Sequence, residues 1–208
     1  IKFKPDATIF DTVVFNIDTI KRRLRELSYL NKGVKIIVYD ENTDSKTIYK
    51  AKGGISSYVK FLNKDKHVIH NEIIYFQNKE DTTTIEIAMQ YNDSYSENVM
   101  SFANNINTHE GGTHIAGFRG ALTKVLNAYG ISKNFIKNSK KDGGLSGEDY
   151  REGLTGIVSV KLTNPQFEGQ TKNKLGNSEV KGVVERLVKD GVTTFLEENP
   201  KTAKIIIQ

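Results

Sequence analysis

One loop of this 208-residue chain combines residue types that could bind a phosphate. Residues 166–178 read QFEGQTKNKLGNS, with two glycines, several side-chain amides and two lysines. They follow a β-branched run at residues 156–162 and precede a periodic apolar run that begins at Val180. A polar loop between a strand and a helix presents backbone N–H and ammonium groups at the helix entrance, where the helix dipole favours an anion. A phosphate is therefore a natural ligand, although an ordinary polar loop stays an alternative, because most such loops bind nothing.

Two other motifs resemble chemical signatures without meeting their requirements. His109 and His114 enclose an acidic and glycine-rich segment, as in a zinc protease, but a spacing of five residues turns helical side chains by ~500°, so the two rings diverge. Residues 112–117 have the glycine spacing of a phosphate-binding P-loop, yet Phe118 stands where that loop needs its lysine. We therefore predict neither a zinc site nor a P-loop here.

Composition limits the remaining chemistry. The chain has no cysteine, which excludes disulfides and thiol catalysis and suits a reducing cytoplasm. His67 and His70 lie in a polar connector, where we expect solvated side chains rather than metal ligands. We predict no membrane span or signal peptide, since no apolar run approaches ~18 residues. A net charge of +5 permits a nucleic acid partner without requiring one. Because the chain does not begin with Met, we expect a fragment or a processed product.

Hydrophobic periodicity predicts strand runs interrupted by helices, which is typical of an α+β layer. The strands are predicted at residues 34–39, 46–50, 72–77, 83–91, 98–103 and 156–162. The helices are predicted at residues 18–30, shortly after 54, at 113–129, shortly after Ser146 and at 178–198. Asp18 is expected to cap the first helix, and residues 131–144 to form a mobile surface loop. The buried face of the last helix is predicted to comprise Val180, Val183, Leu187, Gly191 and Phe195.

Gly117 and Gly120 interrupt the helix predicted at residues 113–129. Each costs about 1 kcal/mol relative to Ala in a helix, which indicates that another segment approaches closely. Arg119 lies beside them, off the apolar stripe. The residues alone leave open whether Arg119 forms a surface salt bridge or contacts a ligand.

Five motifs, in a fixed order over nearly the whole chain, resemble the transducer domain of bacterial type II topoisomerase B subunits, those of DNA gyrase and topoisomerase IV. Together they are far more specific than any one alone. The non-acidic pair after His114 favours the gyrase branch. The motifs are LRELSYLNKG at residues 24–33, EGGTH at 110–114, GFR at 117–119, REGL at 151–154 and the QTK loop at 166–178.

The resemblance implies a fold and a domain division. The fold would be α+β, a mixed β-sheet backed by helices, of the ribosomal-protein-S5-domain-2-like class. Its βαβ crossover would be left-handed, whereas nearly all such crossovers in proteins are right-handed. Residues 1–15 would end a preceding ATPase domain, residues 16–199 would form the transducer domain, and residues 200–208 would begin the next element.

The resemblance also implies site residues. Lys172 would contact the γ-phosphate of ATP bound by the preceding domain and act in catalysis, with Gln170 and Thr171 beside it. Arg119 would face a cavity that holds double-stranded DNA. ATP and Mg²⁺ would serve the full-length enzyme, and no metal would bind within these residues.

The implied protein is an ATP-dependent topoisomerase, an isomerase, in the cytoplasm, and this fragment alone would be inactive. Its partners would be double-stranded DNA, the ATPase and DNA-gate domains of the same subunit, and the gyrase A subunit in an A2B2 complex. Three alternatives are a topoisomerase IV transducer domain, a stand-alone nucleic-acid-binding domain, and the equivalent segment of a different ATPase of the same superfamily, such as a mismatch-repair protein or a chaperone. The stand-alone domain predicts salt-sensitive nucleic acid binding that does not depend on Lys172. The other ATPases lack the QTK and GGTH motifs at this spacing.

Overall fold

The computed structural model describes residues 1–80, 83–136 and 145–208. The chain divides into two compact units, residues 1–54 and residues 55–208. The domain limits predicted after residues 15 and 199 remain predictions. Within the described residues, no helix is both long and apolar enough to cross a membrane.

The first unit contains one helix and one hairpin. Helix α1 (Ile17–Leu30) is followed by strands β1 (Lys35–Asp40) and β2 (Ser45–Lys50), which pair antiparallel. The guanidinium of Arg25 lies over the ring of Tyr49, 5.4 Å from its centroid, and so joins the basic side of the helix to the hairpin.

The start of α1 corrects one prediction. The side chain of Asn16 accepts a hydrogen bond from the backbone N–H of Thr19 (2.9 Å), so Asn16 is the N-cap. Asp18 lies inside the first turn instead, where its charge complements the helix dipole. The prediction that Asp18 caps the helix is therefore wrong by two positions.

The second unit holds the remaining elements. Four of its strands were predicted to within a few residues, whereas the two-residue strand β6 was not predicted. The helix expected after Ser146 is a single 3₁₀ turn, Asp149–Arg151. Pro200 ends the preceding helix, as predicted, and also begins a further helix. The elements are α2 (Gly54–Leu62), β3 (Ile74–Glu80), β4 (Thr83–Tyr91), β5 (Asn98–Ala103), β6 (Ile106–Asn107), α3 (Thr113–Ser132), β7 (Leu154–Lys161), α4 (Ser178–Glu198) and α5 (Pro200–Ile207).

The strands of this unit form one mixed sheet in the order β3-β4-β7-β5-β6. All neighbours are antiparallel except β5 and β7, which run parallel. The chain leaves β5, passes through β6 and α3, and returns as β7, so this segment is the βαβ crossover. The mixed sheet backed by helices confirms the predicted fold class, while the left hand of the crossover remains a prediction.

The main core lies between one face of this sheet and the helices α3, α4 and α5. Successive side chains of a strand point to opposite faces of the sheet, so every second residue of β4 faces this core. These residues are Ile85, Ile87 and Met89. The buried face of α4 differs from the prediction, since its apolar residues form two adjacent stripes and only one is fully buried. Val183, Leu187 and Phe195 are partly buried flanks. The fully buried row is Val180, Val184, Val188, Val192 and Leu196.

The predicted surface loop at residues 131–144 is only partly described. Ile131 and Ser132 still belong to α3, and Phe135 and Ile136 are partly buried against the core. The prediction is wrong for these positions, because two apolar side chains fold back over the end of the helix. The rest of the predicted loop, residues 137–144, lies outside the described residues.

The two glycines of α3 have different surroundings. A Cβ on Gly117 would lie 2.7 Å from the carbonyl oxygen of Lys181, so the backbone of α4 approaches α3 at this point. A Cβ on Gly120 would meet nothing within 4 Å. The predicted close approach therefore occurs at Gly117 alone, and the approaching segment is a helix.

Two buried histidines stabilise the loops of this unit. The ring of His114 is fully buried, with Nε2 3.0 Å from the hydroxyl of Thr108, and burial lowers its pKa to about 4. His70 is also buried and accepts a hydrogen bond from the backbone N–H of Tyr91 (3.0 Å); burial lowers its pKa as well. The expectation that His70 is solvated is therefore wrong.

A pair of substitutions in α3 tests the helix contact. Gly117→Ala is expected to lower the free energy of unfolding by about 1–2 kcal/mol, because the clash with a backbone carbonyl outweighs the gain in helix propensity. Gly120→Ala should raise it by about 0.5–1 kcal/mol, since only the propensity gain applies there. Urea-induced unfolding measures both, and equal stability of the two variants would contradict the close approach.

His114 makes stability depend on pH. Its pKa is about 4 in the folded chain and about 6.5 unfolded, so the unfolded state binds more protons between these values. The contribution of neutral His114 is complete above pH 6.5 and is lost as the pH falls towards 4, by about 1.4 kcal/mol per pH unit.

The measurement is the free energy of unfolding at pH 7 and at pH 5. His114→Gln should weaken the pH dependence relative to the wild type, whereas His109→Gln, at an exposed position, should leave it unchanged. An unchanged dependence in both variants would show that His114 does not carry it.

Candidate functional site

The loop singled out for phosphate binding folds as a hairpin. We call residues 166–176 the QTK hairpin. The backbone N–H of Glu168 donates to the carbonyl of Lys174 (2.9 Å), and that of Gly176 donates to the carbonyl of Gln166 (2.8 Å). The ammonium of Lys174 also pairs with the carboxylate of Glu168 at 3.0 Å. One of the two lysines is thus used within the hairpin itself.

Gln170, Thr171 and Lys172 form the exposed tip of the hairpin. The turn needs left-handed backbone at Gly169 (φ 81°) and at Lys172 (φ 57°). For a residue other than glycine this conformation costs about 1–2 kcal/mol, and such strain is concentrated at functional sites. The ammonium of Lys172 lies 6.0 Å from the ring centroid of Phe167 and, among the described residues, forms no ion pair. It is therefore available to an anion from outside this unit.

The base of the QTK hairpin is bonded to the start of α3. The backbone N–H of Leu175 donates to the carbonyl of Gly111 (3.2 Å), and Thr113 donates back to the carbonyl of Leu175 (3.1 Å). Glu110 and Asn173 are joined twice, from the backbone N–H of Glu110 to the carbonyl of Asn173 (3.1 Å) and from the Asn173 amide to the Glu110 carboxylate (3.2 Å). The EGGTH and QTK motifs, far apart in sequence, are one structural element.

Gly112 makes this contact possible. Its backbone has φ 134°, and a Cβ there would lie 2.5 Å from the carbonyl oxygen of Leu175 and 2.6 Å from its nitrogen. Any side chain would therefore push the hairpin away from α3. This explains why the motif has a glycine at this position.

A second attachment joins the hairpin to α4. Asn177 is buried, and its side-chain oxygen accepts a hydrogen bond from the backbone N–H of Gln166 (2.7 Å). Its amide donates to the carbonyl of Asn164 (3.2 Å) and to the carboxylate of Glu179 (2.8 Å), and the latter bond lowers the pKa of Glu179. The exposed tip is therefore held at the N-terminal ends of both α3 and α4.

Arg119 of α3 forms an ion pair. Its Nε and Nη2 donate to one oxygen of Glu97 at 2.9 and 2.7 Å. The other oxygen of Glu97 accepts from Nε of Arg151 at 3.0 Å. The arginines of the GFR and REGL motifs thus share one carboxylate. The sequence did not decide whether Arg119 forms a salt bridge, and the structure shows that it does. The expected contact of Arg119 with DNA stays a prediction.

A cleft of about 450 Å³ brings part of the predicted site together. Its walls include Arg119, Lys181 and the base of the QTK hairpin, with Glu168 and Lys174. Gln170, Thr171 and Lys172 do not line it, so the tip and Arg119 face separate surroundings. Within residues 1–80, 83–136 and 145–208, no group of three or more potential metal-ligating side chains occurs.

Sequence reasoning missed two residues of this region. Glu97 lies just before β5 in a segment without a motif, and only tertiary structure shows that it pairs with two arginines. Asn177 carries a weak signal, since an Asn before an apolar periodic run is typical of an N-cap. Its side chain serves the hairpin instead of the helix N–H groups.

The family model and the curated relatives agree on one family. A family model described as DNA gyrase B matches residues 54–208. The DNA gyrase B protein of Clostridium acetobutylicum is 53% identical over 208 residues, which are 100% of this chain and 32% of that protein. The chain thus spans about a third of the length of this curated relative.

Solved structures show the same similarity. The 43K ATPase domain of Thermus thermophilus gyrase B, in complex with an aminocoumarin, superposes with a TM-score of 0.83 at 34% identity, over 98% of this chain and 54% of that one. The topoisomerase IV ATP-binding domain of Francisella tularensis, in complex with a small-molecule inhibitor, superposes with a TM-score of 0.77 at 29% identity. This superposition covers 98% of this chain and 54% of that one. Since the family model covers most of the chain, the chain belongs to the DNA gyrase B family.

Proposed function

We propose that this chain is the transducer segment of the gyrase B protein, which is part of an ATP-dependent type II topoisomerase. In this proposal, it couples ATP binding and hydrolysis in the preceding ATPase domain to DNA strand passage and supercoiling. The observation that carries the proposal is the exposed tip of the QTK hairpin. Its lysine is held in a strained backbone conformation, while the base of the hairpin is bonded to two helices.

Lys172 is the residue that would contact the nucleotide. Its ammonium would meet the γ-phosphate of ATP held, with Mg²⁺, mainly by the preceding domain. Gln170 would donate a second hydrogen bond, and Thr171 would maintain the turn. A cation at this point neutralises the charge that spreads over the phosphoryl oxygens in the transition state. The contact exists only until the phosphate leaves, so the same lysine reports hydrolysis.

The attachment of the hairpin explains how this signal would travel. The tip cannot shift as a free loop, because its base shares backbone hydrogen bonds with Gly111 and Thr113 at the start of α3. Asn177 ties the other end of the hairpin to α4. A change at the γ-phosphate would therefore displace two helices, as in other γ-phosphate switches.

Arg119 is the proposed DNA contact. Its side chain is 44% exposed although it is paired with Glu97. A partly exposed guanidinium can bind DNA phosphates, and such contacts do not read base sequence. The partners would be double-stranded DNA, the neighbouring domains of the same subunit and the gyrase A subunit in an A2B2 complex in the cytoplasm. Gyrase is preferred to topoisomerase IV because the matching family model is described as DNA gyrase B and the gyrase B relative is 53% identical over the whole chain.

Substitution of Lys172 tests the proposal. In the full-length protein, Lys172→Ala should reduce ATP turnover at least ~100-fold, which corresponds to about 2.7 kcal/mol of barrier. Nucleotide binding, measured in parallel, should persist. The affinity loss should be larger for a non-hydrolysable triphosphate than for ADP, since only the former carries the γ-phosphate.

Lys174→Ala is the matched control, because it removes an ammonium from the same hairpin. That ammonium already pairs with Glu168, so we expect a much smaller loss of turnover. Equal turnover in the wild type and Lys172→Ala would rule out the proposed contact. An equal loss in both variants would indicate a general charge effect instead.

A further inference from the structure

Glu97 lies between two arginines from different elements. It directly precedes β5, Arg151 ends the 3₁₀ turn before β7, and Arg119 belongs to the second turn of α3. The side chains of Glu97 and Arg151 are 24% and 17% exposed, whereas that of Arg119 is 44% exposed. The carboxylate is therefore anchored on its more buried side by Arg151 and presents its other oxygen to the more exposed Arg119.

The hydrogen bonds occupy only one edge of the Arg119 guanidinium. Nε and Nη2 each donate one N–H to the same oxygen of Glu97. A guanidinium has five N–H groups in a rigid plane, so three remain, and two of these lie side by side on the edge formed by Nη1 and Nη2. This edge can still bind a phosphate through two parallel hydrogen bonds.

We propose that Glu97 is a positioning residue for Arg119: it fixes the guanidinium so that the Nη1–Nη2 edge is available to a DNA phosphate. The inference rests on the DNA contact proposed for Arg119 and deepens it. A flexible arginine loses conformational freedom when it binds a phosphate, and holding it in place beforehand removes part of that cost. Arg151 acts through Glu97, because it holds the carboxylate in turn.

Simple electrostatics predicts the opposite effect of removing Glu97. A carboxylate near DNA repels the phosphates, so its neutralisation should strengthen DNA binding. If Glu97 positions Arg119, neutralisation should weaken binding instead. The sign of the change therefore separates the two roles.

The experiment measures how ATP turnover by the full-length protein, assembled with the gyrase A subunit, rises with DNA concentration. Glu97→Gln should raise the DNA concentration for half-maximal stimulation about three- to tenfold, and Arg119→Ala should do the same. The double variant, Glu97→Gln with Arg119→Ala, should need no more DNA for half-maximal stimulation than Arg119→Ala alone, because Glu97 acts only through that arginine. Glu97→Asp should also raise this concentration, since it keeps the charge but shortens the reach.

Glu152→Gln is the matched control, because it removes a carboxylate at an exposed position next to Arg151. It should leave the required DNA concentration unchanged or lower it. In addition, the dependence of the half-maximal DNA concentration on salt should become weaker by about one phosphate contact in both Glu97→Gln and Arg119→Ala.

Two results would overturn the inference in different ways. An unchanged or lower DNA requirement in Glu97→Gln, with a raised requirement in Arg119→Ala, would show that Arg119 contacts DNA without help from Glu97. An unchanged requirement in Arg119→Ala would remove the proposed DNA contact and the inference with it. Thermal unfolding of each variant verifies that the changes do not reflect loss of the fold.

Discussion

The backbone contact between Leu175 and the start of α3 is the constraint on which the site depends. Two hydrogen bonds, to Gly111 and from Thr113, replace solvent at a point where α3 would otherwise begin in water. They can form only because Gly112 has no side chain. One missing Cβ thus allows a loop after β7 to be fixed to a helix that begins more than fifty residues earlier.

The same helices also carry the core. The backbones of α3 and α4 touch at Gly117, and the fully buried row of α4 packs on the sheet. A hairpin attached to the N-terminal ends of both helices is therefore attached to two elements of the close-packed core. The tip stays exposed, and Lys172 presents its ammonium from a turn in left-handed backbone conformation. This combination suits a residue that must detect whether a phosphate is present.

The charged residues fall into two groups with different environments. In the QTK hairpin, Lys174 is neutralised by Glu168, which leaves Lys172 as the charge directed outward. On α3, Arg119 is held by Glu97 but keeps one edge of its guanidinium free for a further partner. Each group pairs charge within the unit and leaves a cation that can bind a further partner, so in the proposed function a nucleotide and DNA would be contacted at separate places on one scaffold.

The sequence by itself determined the fold class, six of the seven strands of the described residues and their three long helices, because these follow from local periodicity and from contiguous motifs. It misplaced the cap of α1, the buried stripe of α4 and the environment of His70, since each depends on what packs against it. Only the tertiary structure decided that the EGGTH segment supports the QTK hairpin and that Glu97 joins Arg119 to Arg151. These contacts join residues far apart in the chain, and no local pattern encodes which distant backbone or charge will come within hydrogen-bonding distance.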